Sequence, residues 1–213
     1  ANIKNLSEGI GNGSCTFYCD TDDLSLQYSE LGSVEFKTLH PPIDQTLKTK
    51  NRKQKGPLIV SCLGDAREEK GFQYLPRIIS NFRSMGFLKH DVKFRIQTNF
   101  SESGSTLKIL KTIEELKNNQ RLGVEILDGP FDTITYQDLL AQTDIALLPY
   151  CSFSYSARSS GIFVEALASG IPTIYPASSS MATSHTLTGS LGFKDLKDIP
   201  KILTSSAIAF DVN

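Results

Sequence analysis

The sequence holds no tryptophan, only two methionines and only three histidines, and its 22 basic and 23 acidic residues nearly cancel. A net charge of −1 excludes the strongly basic footprint that nucleic acids or anionic membranes usually select, so an anionic ligand must be held locally. Long apolar runs are also missing. Ile145 to Leu148 is typical, far short of the ~20 residues a membrane span needs. The first residues lack the charged-then-apolar pattern of a leader peptide, and a cytoplasmic place is expected, with a peripheral position at a membrane left open. Four cysteines occur, at 15, 19, 62 and 151. No second Cys or His pair follows Cys15 and Cys19, so a structural zinc site is not expected and reduced core thiols are. His40, His90 and His185 have no GxSxG nucleophile motif near them, which argues against hydrolase chemistry. Neither GxxxxGK[ST] nor GxGxxG is present.

What is there is enough apolar material for one core: 39% of the 213 residues are hydrophobic. Short β-branched runs alternate with longer amphipathic segments, the pattern of βα units around a parallel sheet. Strands are expected at Thr16 to Cys19, Val34 to Leu39, Leu58 to Leu63, Lys93 to Thr98, Val124 to Leu127, Ile145 to Leu148, Thr173 to Tyr175 and Ala207 to Phe210. Phe72, Leu75, Ile78, Ile79 and Phe82 recur at helical spacing, as do Leu107, Leu110, Ile113 and Leu116. A helix start is read at Thr135, and another helix over Ile162 to Ala168 that stops at Gly170 and Pro172.

Between Leu39 and Pro57 the character changes. HPPID (40–44) cannot continue a strand, and KTKNRKQK (48–55) carries five positive charges and no negative one. Three parts follow: residues 1–44 as the end of a preceding domain and a hinge, 45–55 as a basic linker, and 56–213 as one full domain. The first part is too small for its own core, so Phe17, Leu24, Leu26 and Val34 are expected to seek cover elsewhere. The linker reads as a solvated connector before it reads as a binding patch.

In an open α/β sheet, ligands bind beyond the carboxyl ends of the strands, and two loops there are unusual. After the first strand of the main domain comes GDAREEKGF (64–72), a glycine turn followed by Arg67 and Lys70 just before an expected helix. Two cations beside a helix N-terminus suit phosphate oxygens. The plain alternative is that Arg67, Glu68, Glu69 and Lys70 pair with one another and with water. The second loop leads from Pro149 to Gly161, where Ser159, Ser160 and Gly161 let a ligand approach backbone N–H groups. Glu165 sits one turn further on the same face. A carboxylate there repels phosphate but accepts hydrogen bonds from the vicinal hydroxyls of a ribose.

SSGIFVEALASGIPTI (159–174) resembles the donor-site signature of the retaining GT-B glycosyltransferases, the family of glycogen and sucrose synthases and many bacterial mannosyl- and glucosyltransferases. GDAREEKG resembles that family's glycine loop, and LDGPFDTITYQDLLAQTDIALLPY (127–150) its next βαβ step. The agreement spans about residues 56 to 176 and is most specific over 161–172. The resemblance implies a Rossmann-like parallel sheet flanked by helices, the C-terminal domain of a GT-B fold, preceded by a short piece of the acceptor domain. It implies Arg67 and Lys70 at the diphosphate, where they also stabilise the leaving group, with Gly64 in the glycine loop. Arg158, Ser159, Ser160 and Gly161 lie at the donor, Glu165 at the ribose, and Gly129 and Pro130 near the nucleobase. Two positions depart from the pattern: Ala157 stands where a second glutamate is usual, so its contact to the donor sugar is either missing or supplied by Ser156 or Arg158, and Asp65 stands where an arginine is usual, leaving Arg67 as the substitute.

The expected activity is hexose transfer from a nucleotide diphosphate sugar to a glycan, lipid or small-molecule acceptor, with no metal or resident cofactor. Because the family places its active site between two such domains, the chain is expected to be one part of the machinery, able to bind donor without transferring it. A non-catalytic nucleotide- or sugar-binding module is the alternative, favoured by Ala157. A flavodoxin-like signalling module is less consistent, since the main domain lacks an acidic cluster after its first strand. The nucleobase, sugar, acceptor and oligomeric state are left open by the sequence.

Overall fold

The computed structural model describes residues 15–32, 34–43, 56–86, 92–100, 106–119, 122–183 and 190–211. The expected basic linker at 45–55, together with His90 and His185, lies outside the described residues.

The chain first makes a small βαβ unit. Strand β1 (Phe17–Cys19) pairs in parallel with β2 (Phe36–Thr38) across helix α1 (Asp22–Gly32). Thr21 Oγ1 accepts from Leu24 N at 3.2 Å, and Asp22 and Asp23 in the first turn complement the helix dipole. Phe17 and Phe36 rings lie 5.2 Å apart and Tyr28 packs edge-on to Phe36. Cover is partial: Phe17, Leu24 and Val34 are half-buried, whereas Leu26 is 61% exposed, with Tyr18, Leu31, Leu39 and Ile43 also exposed.

Six parallel strands form the main sheet in the order β5-β4-β3-β6-β7-β8. They are β3 (Leu58–Cys62), β4 (Val92–Gln97), β5 (Val124–Leu127), β6 (Ile145–Leu147), β7 (Thr173–Pro176) and β8 (Leu191–Phe193). Helices α2 (Leu75–Arg83), α3 (Leu107–Asn118), α4 (Thr133–Ala141), α5 (Gly161–Ala168) and α6 (Ile199–Asp211) flank it. Central strands β6 and β7 are buried at every position, as strands covered on both faces must be. One core cluster joins Leu75, Ile78, Ile79 and Phe82 of α2 to Phe94, Ile109, Leu116 and Leu203, with Phe82 meeting Phe94 edge to face at 5.6 Å. This is the α/β Rossmann-like architecture expected from the sequence. No helix among the described residues is long and apolar enough to cross a membrane.

Several local expectations are corrected. Ala207 to Phe210 belongs to helix α6, and the last strand of the sheet is instead Leu191–Phe193. Asp132 caps α4 by accepting from Thr135 N at 2.8 Å, so the helix begins at Thr133, two residues before the expected start. Cys19 is buried, but Cys15 and Cys151 are exposed, so the thiols are not uniformly in the core. The glycine loop does not open straight into an α-helix. Glu68–Lys70 and Phe72–Tyr74 form two short 3-10 turns separated by Gly71 at φ 70°, and α2 begins only at Leu75, with Pro76 in its first turn. Lys70 therefore lies before Gly71, outside the influence of the α2 N-terminus, because helix-dipole effects fade within a turn.

Candidate functional site

Strand order reverses between β3 and β6: β4 and β5 extend to one side, β7 and β8 to the other. In open parallel sheets such a reversal leaves a crevice at the carboxyl ends of the two strands. The loop after β3 is 64–71 and the loop after β6 runs to α5, so the two unusual loops of the sequence meet at this crevice.

The contact between them is close. Gly71 backs onto Pro149, where a Cβ would come within 1.8 Å of the carbonyl oxygen, and Cys151 N donates to Glu69 O at 2.9 Å. Gly64, at φ 94°, faces α5 directly: a Cβ there would lie 2.4 Å from Ile162 Cδ1 and 3.1 Å from Lys70 Nζ. Glycine is required at both positions, by backbone conformation and by space.

The Lys70 ammonium is thus set beside Gly64, on the side where that glycine faces Ile162. Burial pushes its pKa below the ordinary 10.5, assisted by repulsion from Arg67 and opposed by Asp65, Cys62 and Glu69. It forms no salt bridge among the described residues. Arg67 differs: its Nη2 meets Asp65 Oδ2 at 2.6 Å and its Nη1 lies 3.8 Å from Glu69 Oε1. Of the two cations in this loop, Lys70 is the one without a salt bridge among the described residues. Beneath it, burial pushes the Cys62 thiol up to about 12, with Lys70 pulling the other way.

Helix α5 begins beside this ammonium. Ser160 is its cap, its Oγ accepting from Phe163 N at 3.3 Å. A Cβ on Gly161 would meet nothing within 4 Å, so the helix N-terminus opens onto free space. Small residues and unsatisfied N–H groups make such an end receptive to an anion. The preceding loop is braced internally: Tyr150 and Tyr155 rings lie 4.4 Å apart, Arg158 lies over Tyr155 at 5.2 Å, and Ser180 Oγ donates to Arg158 O at 2.6 Å. Arg158 itself is exposed and Ala157 is buried.

Glu165 is paired. Tyr136, from α4, donates its hydroxyl to Glu165 Oε2 at 2.6 Å, and Oε1 has no hydrogen-bond partner among the described residues. Burial, and then this carboxylate, hold the Tyr136 hydroxyl well above its ordinary 10. The bond resolves how a carboxylate sits in an otherwise apolar helix.

The third expected element lies after β5. Gly129 and Pro130 are joined by a cis peptide and line a cavity of about 340 Å³ together with Asn99, Phe100, Lys117 and Asp128, among others. That is within the ~300–1,000 Å³ of small-molecule sites. Gln97, the last residue of β4, connects it to the crevice. Its Oε1 accepts from Gly64 N at 2.7 Å, and a Cβ on Gly129 would lie 2.7 Å from its Nε2. Asn99 adds a second tie, donating to Asp65 Oδ1 at 2.7 Å and accepting from Ala66 N through its carbonyl at 2.6 Å. Gln97 and Tyr136 were not singled out by sequence, since nothing in their local pattern separates them from ordinary strand-end and helix residues. No group of three or more His, Cys, Asp or Glu able to hold a metal occurs among the described residues.

Comparison with known proteins places the fold. No protein-family model matches the sequence, and no curated protein matches it. Solved structures do. TarM superimposes with a TM-score of 0.69 at 15% identity, over 98% of this chain and 39% of its own. The C-terminal domain of the glycosyl transferase group 1 family protein LpcC from Francisella tularensis gives 0.58 at 14% identity, over 77% of this chain and 87% of its own. The pneumococcal O-GlcNAc transferase GtfA, solved with UDP and GlcNAc, gives 0.59 at 16%, over 98% and 39%. The fold is that of GT-B C-terminal domains. This chain spans about two fifths of the length of TarM and of GtfA.

Proposed function

We propose that the chain is the donor-binding part of a glycosyltransferase that moves a hexose from a nucleotide diphosphate sugar. The observation that carries this reading is Lys70: a half-buried ammonium with no salt bridge among the described residues, set beside Gly64 at the open N-terminus of α5. Desolvation of this ammonium is costly and only partly offset by the nearby charges of Asp65 and Glu69, and a ligand anion relieves the remaining cost. In this reading the diphosphate lies on Lys70 and the backbone N–H groups at Ser160 and Gly161. These groups also stabilise the charge that develops on the leaving diphosphate. Arg67, tied to Asp65, contributes by holding the glycine loop or by exchanging partners when the phosphates arrive. Glu165 Oε1 accepts from the ribose, with Tyr136 fixing the carboxylate. The nucleobase occupies the cavity at Gly129 and Pro130. Transfer with retention is the finer reading that the signature over 159–174 supports, with the acceptor held by another domain.

Calorimetric titration with UDP-, GDP- and ADP-sugars tests the reading. One of the three series binding with a 1:1 stoichiometry is expected; no binding to any of them removes the proposal. The alternative, a module that binds a nucleotide or sugar without transferring anything, draws on Ala157, which puts no carboxylate at that point of the donor loop. It predicts the same binding but no transfer when the partner domain is supplied.

A further inference from the structure

Hydrogen bonds tie the small βαβ unit to the donor loop directly after β1. Asp20 Oδ2 accepts from Ser159 Oγ across 139 residues of sequence, and Thr21 Oγ1 donates to the Ala157 carbonyl across 136. Thr21 is at the same time the cap of α1, through Leu24 N, so the start of α1 is fixed against the loop.

The direction of the Ser159 bond has a chemical consequence. A hydroxyl has one proton and two lone pairs. With its proton committed to Asp20, Ser159 offers only lone pairs to a ligand, as does the second oxygen of the Asp20 carboxylate. Phosphate oxygens are acceptors as well, so this pair offers them no hydrogen bond. A sugar hydroxyl, which donates, is the complementary group. The loop supplies no other carboxylate here: Ala157 is buried and apolar, while Glu165 lies a turn inside α5 with Oε2 taken by Tyr136. Lys70, the cation suited to phosphate, lies beside Gly64 and pairs with neither Asp20 nor Ser159 among the described residues.

Resting on the donor-binding function above, we propose that Asp20 and Ser159 form an acceptor-only pair that reads a hydroxyl of the transferred sugar. Asp20 is the positioning residue that fixes the Ser159 rotor. The pair supplies, from a distant segment, the carboxylate that the loop itself lacks at Ala157.

The test compares sugar nucleotides with their bare diphosphates. Affinities of UDP-glucose and UDP, GDP-mannose and GDP, and ADP-glucose and ADP are measured calorimetrically on the unmodified chain and on Asp20→Ala, Asp20→Asn and Ser159→Ala. Melting temperatures establish that each variant is folded, and Ser159→Ala stands in should Asp20→Ala fail. For the nucleotide the unmodified chain binds, Asp20→Ala and Ser159→Ala are expected to weaken the sugar nucleotide by about tenfold or more and leave the bare diphosphate unchanged. Asp20→Asn, which keeps an acceptor, retains most of the affinity; a purely structural brace would not discriminate between the two ligands. Equal losses for sugar nucleotide and diphosphate, or no loss for either, overturn the proposal while leaving the donor function standing. Failure of the unmodified chain to bind any of the six ligands overturns the donor function, and the proposal with it.

Discussion

Replacing Lys70 with methionine separates a ligand-binding ammonium from a structural one. Methionine is unbranched and of similar length, so the packing beside Gly64 is largely kept while the charge is removed. In the free protein the charge is unfavourable, since burial is the leading cause of the lowered Lys70 pKa. Lys70→Met is therefore expected to melt no lower than the unmodified chain at pH 7. With a nucleoside diphosphate bound, a charge-assisted hydrogen bond is lost, about 1.5–3 kcal/mol, or roughly tenfold to 150-fold in affinity. The nucleoside alone carries no phosphate and should bind both proteins equally. The pH dependence has a definite sign. A lysine whose folded pKa lies below its unfolded value of about 10.4 binds fewer protons in the folded state, so ligand-free stability rises with pH between the folded value and the unfolded one. Diphosphate affinity runs the other way, falling as pH climbs through the folded value and Lys70 loses its proton. Both trends should vanish in Lys70→Met. The assay is calorimetric titration of UDP, GDP and ADP and their nucleosides at neutral and alkaline pH, with melting curves alongside. Equal losses for diphosphate and nucleoside, or a large drop in melting temperature, would show that Lys70 is a structural residue and would refute the reasoning.

Glu165→Ala should weaken nucleotide binding by about 1.5–3 kcal/mol with the fold intact, and by the same amount for nucleoside and diphosphate, since both carry the ribose. Tyr136→Phe removes the partner of Glu165 Oε2 and should cost about 1–3 kcal/mol of stability in chemical denaturation; no change would mean that water replaces the hydroxyl. Gly71→Ala forces a methyl to within 1.8 Å of the Pro149 carbonyl at φ 70° and should destabilise by more than about 2 kcal/mol. Gly161→Ala meets nothing within 4 Å and should leave stability within about 0.5 kcal/mol while reducing diphosphate affinity. A normal affinity would move the phosphates away from the α5 N-terminus.

Much of the architecture was legible in the sequence because its signals are local. The run Leu58 to Leu63 and the buried strands β6 and β7 stand out as β-branched or apolar segments between breakers, and Ser160 and Gly161 open α5 as such residues do. The failures have physical causes. AIAF at 207–210 is a four-residue apolar run, too short for periodicity to distinguish strand from helix, and it continues a helix begun at Ile199. The true last strand, Leu191–Phe193, has two exposed positions and a glycine, and carries little strand signal. Of the site, the two loops were readable from their glycines, small residues and charges. The ion pair of Arg67 with Asp65, the bridging amide of Gln97, the pairing of Tyr136 with Glu165 and the reach of Asp20 to Ser159 were not. The last three join residues that only the folded sheet brings together. The first depends on which of several adjacent charges turns inward, and here Lys70 does.

The most direct measurement is a crystal structure of the chain with the nucleoside diphosphate that binds it best. The account predicts phosphate oxygens within hydrogen-bonding distance of Lys70 Nζ and of the backbone N–H groups at Ser160 and Gly161. It also predicts the ribose on Glu165 and the base in the cavity beside Gly129 and Pro130. A ligand bound away from the β3 and β6 crevice, or phosphates that leave Lys70 untouched, would contradict it.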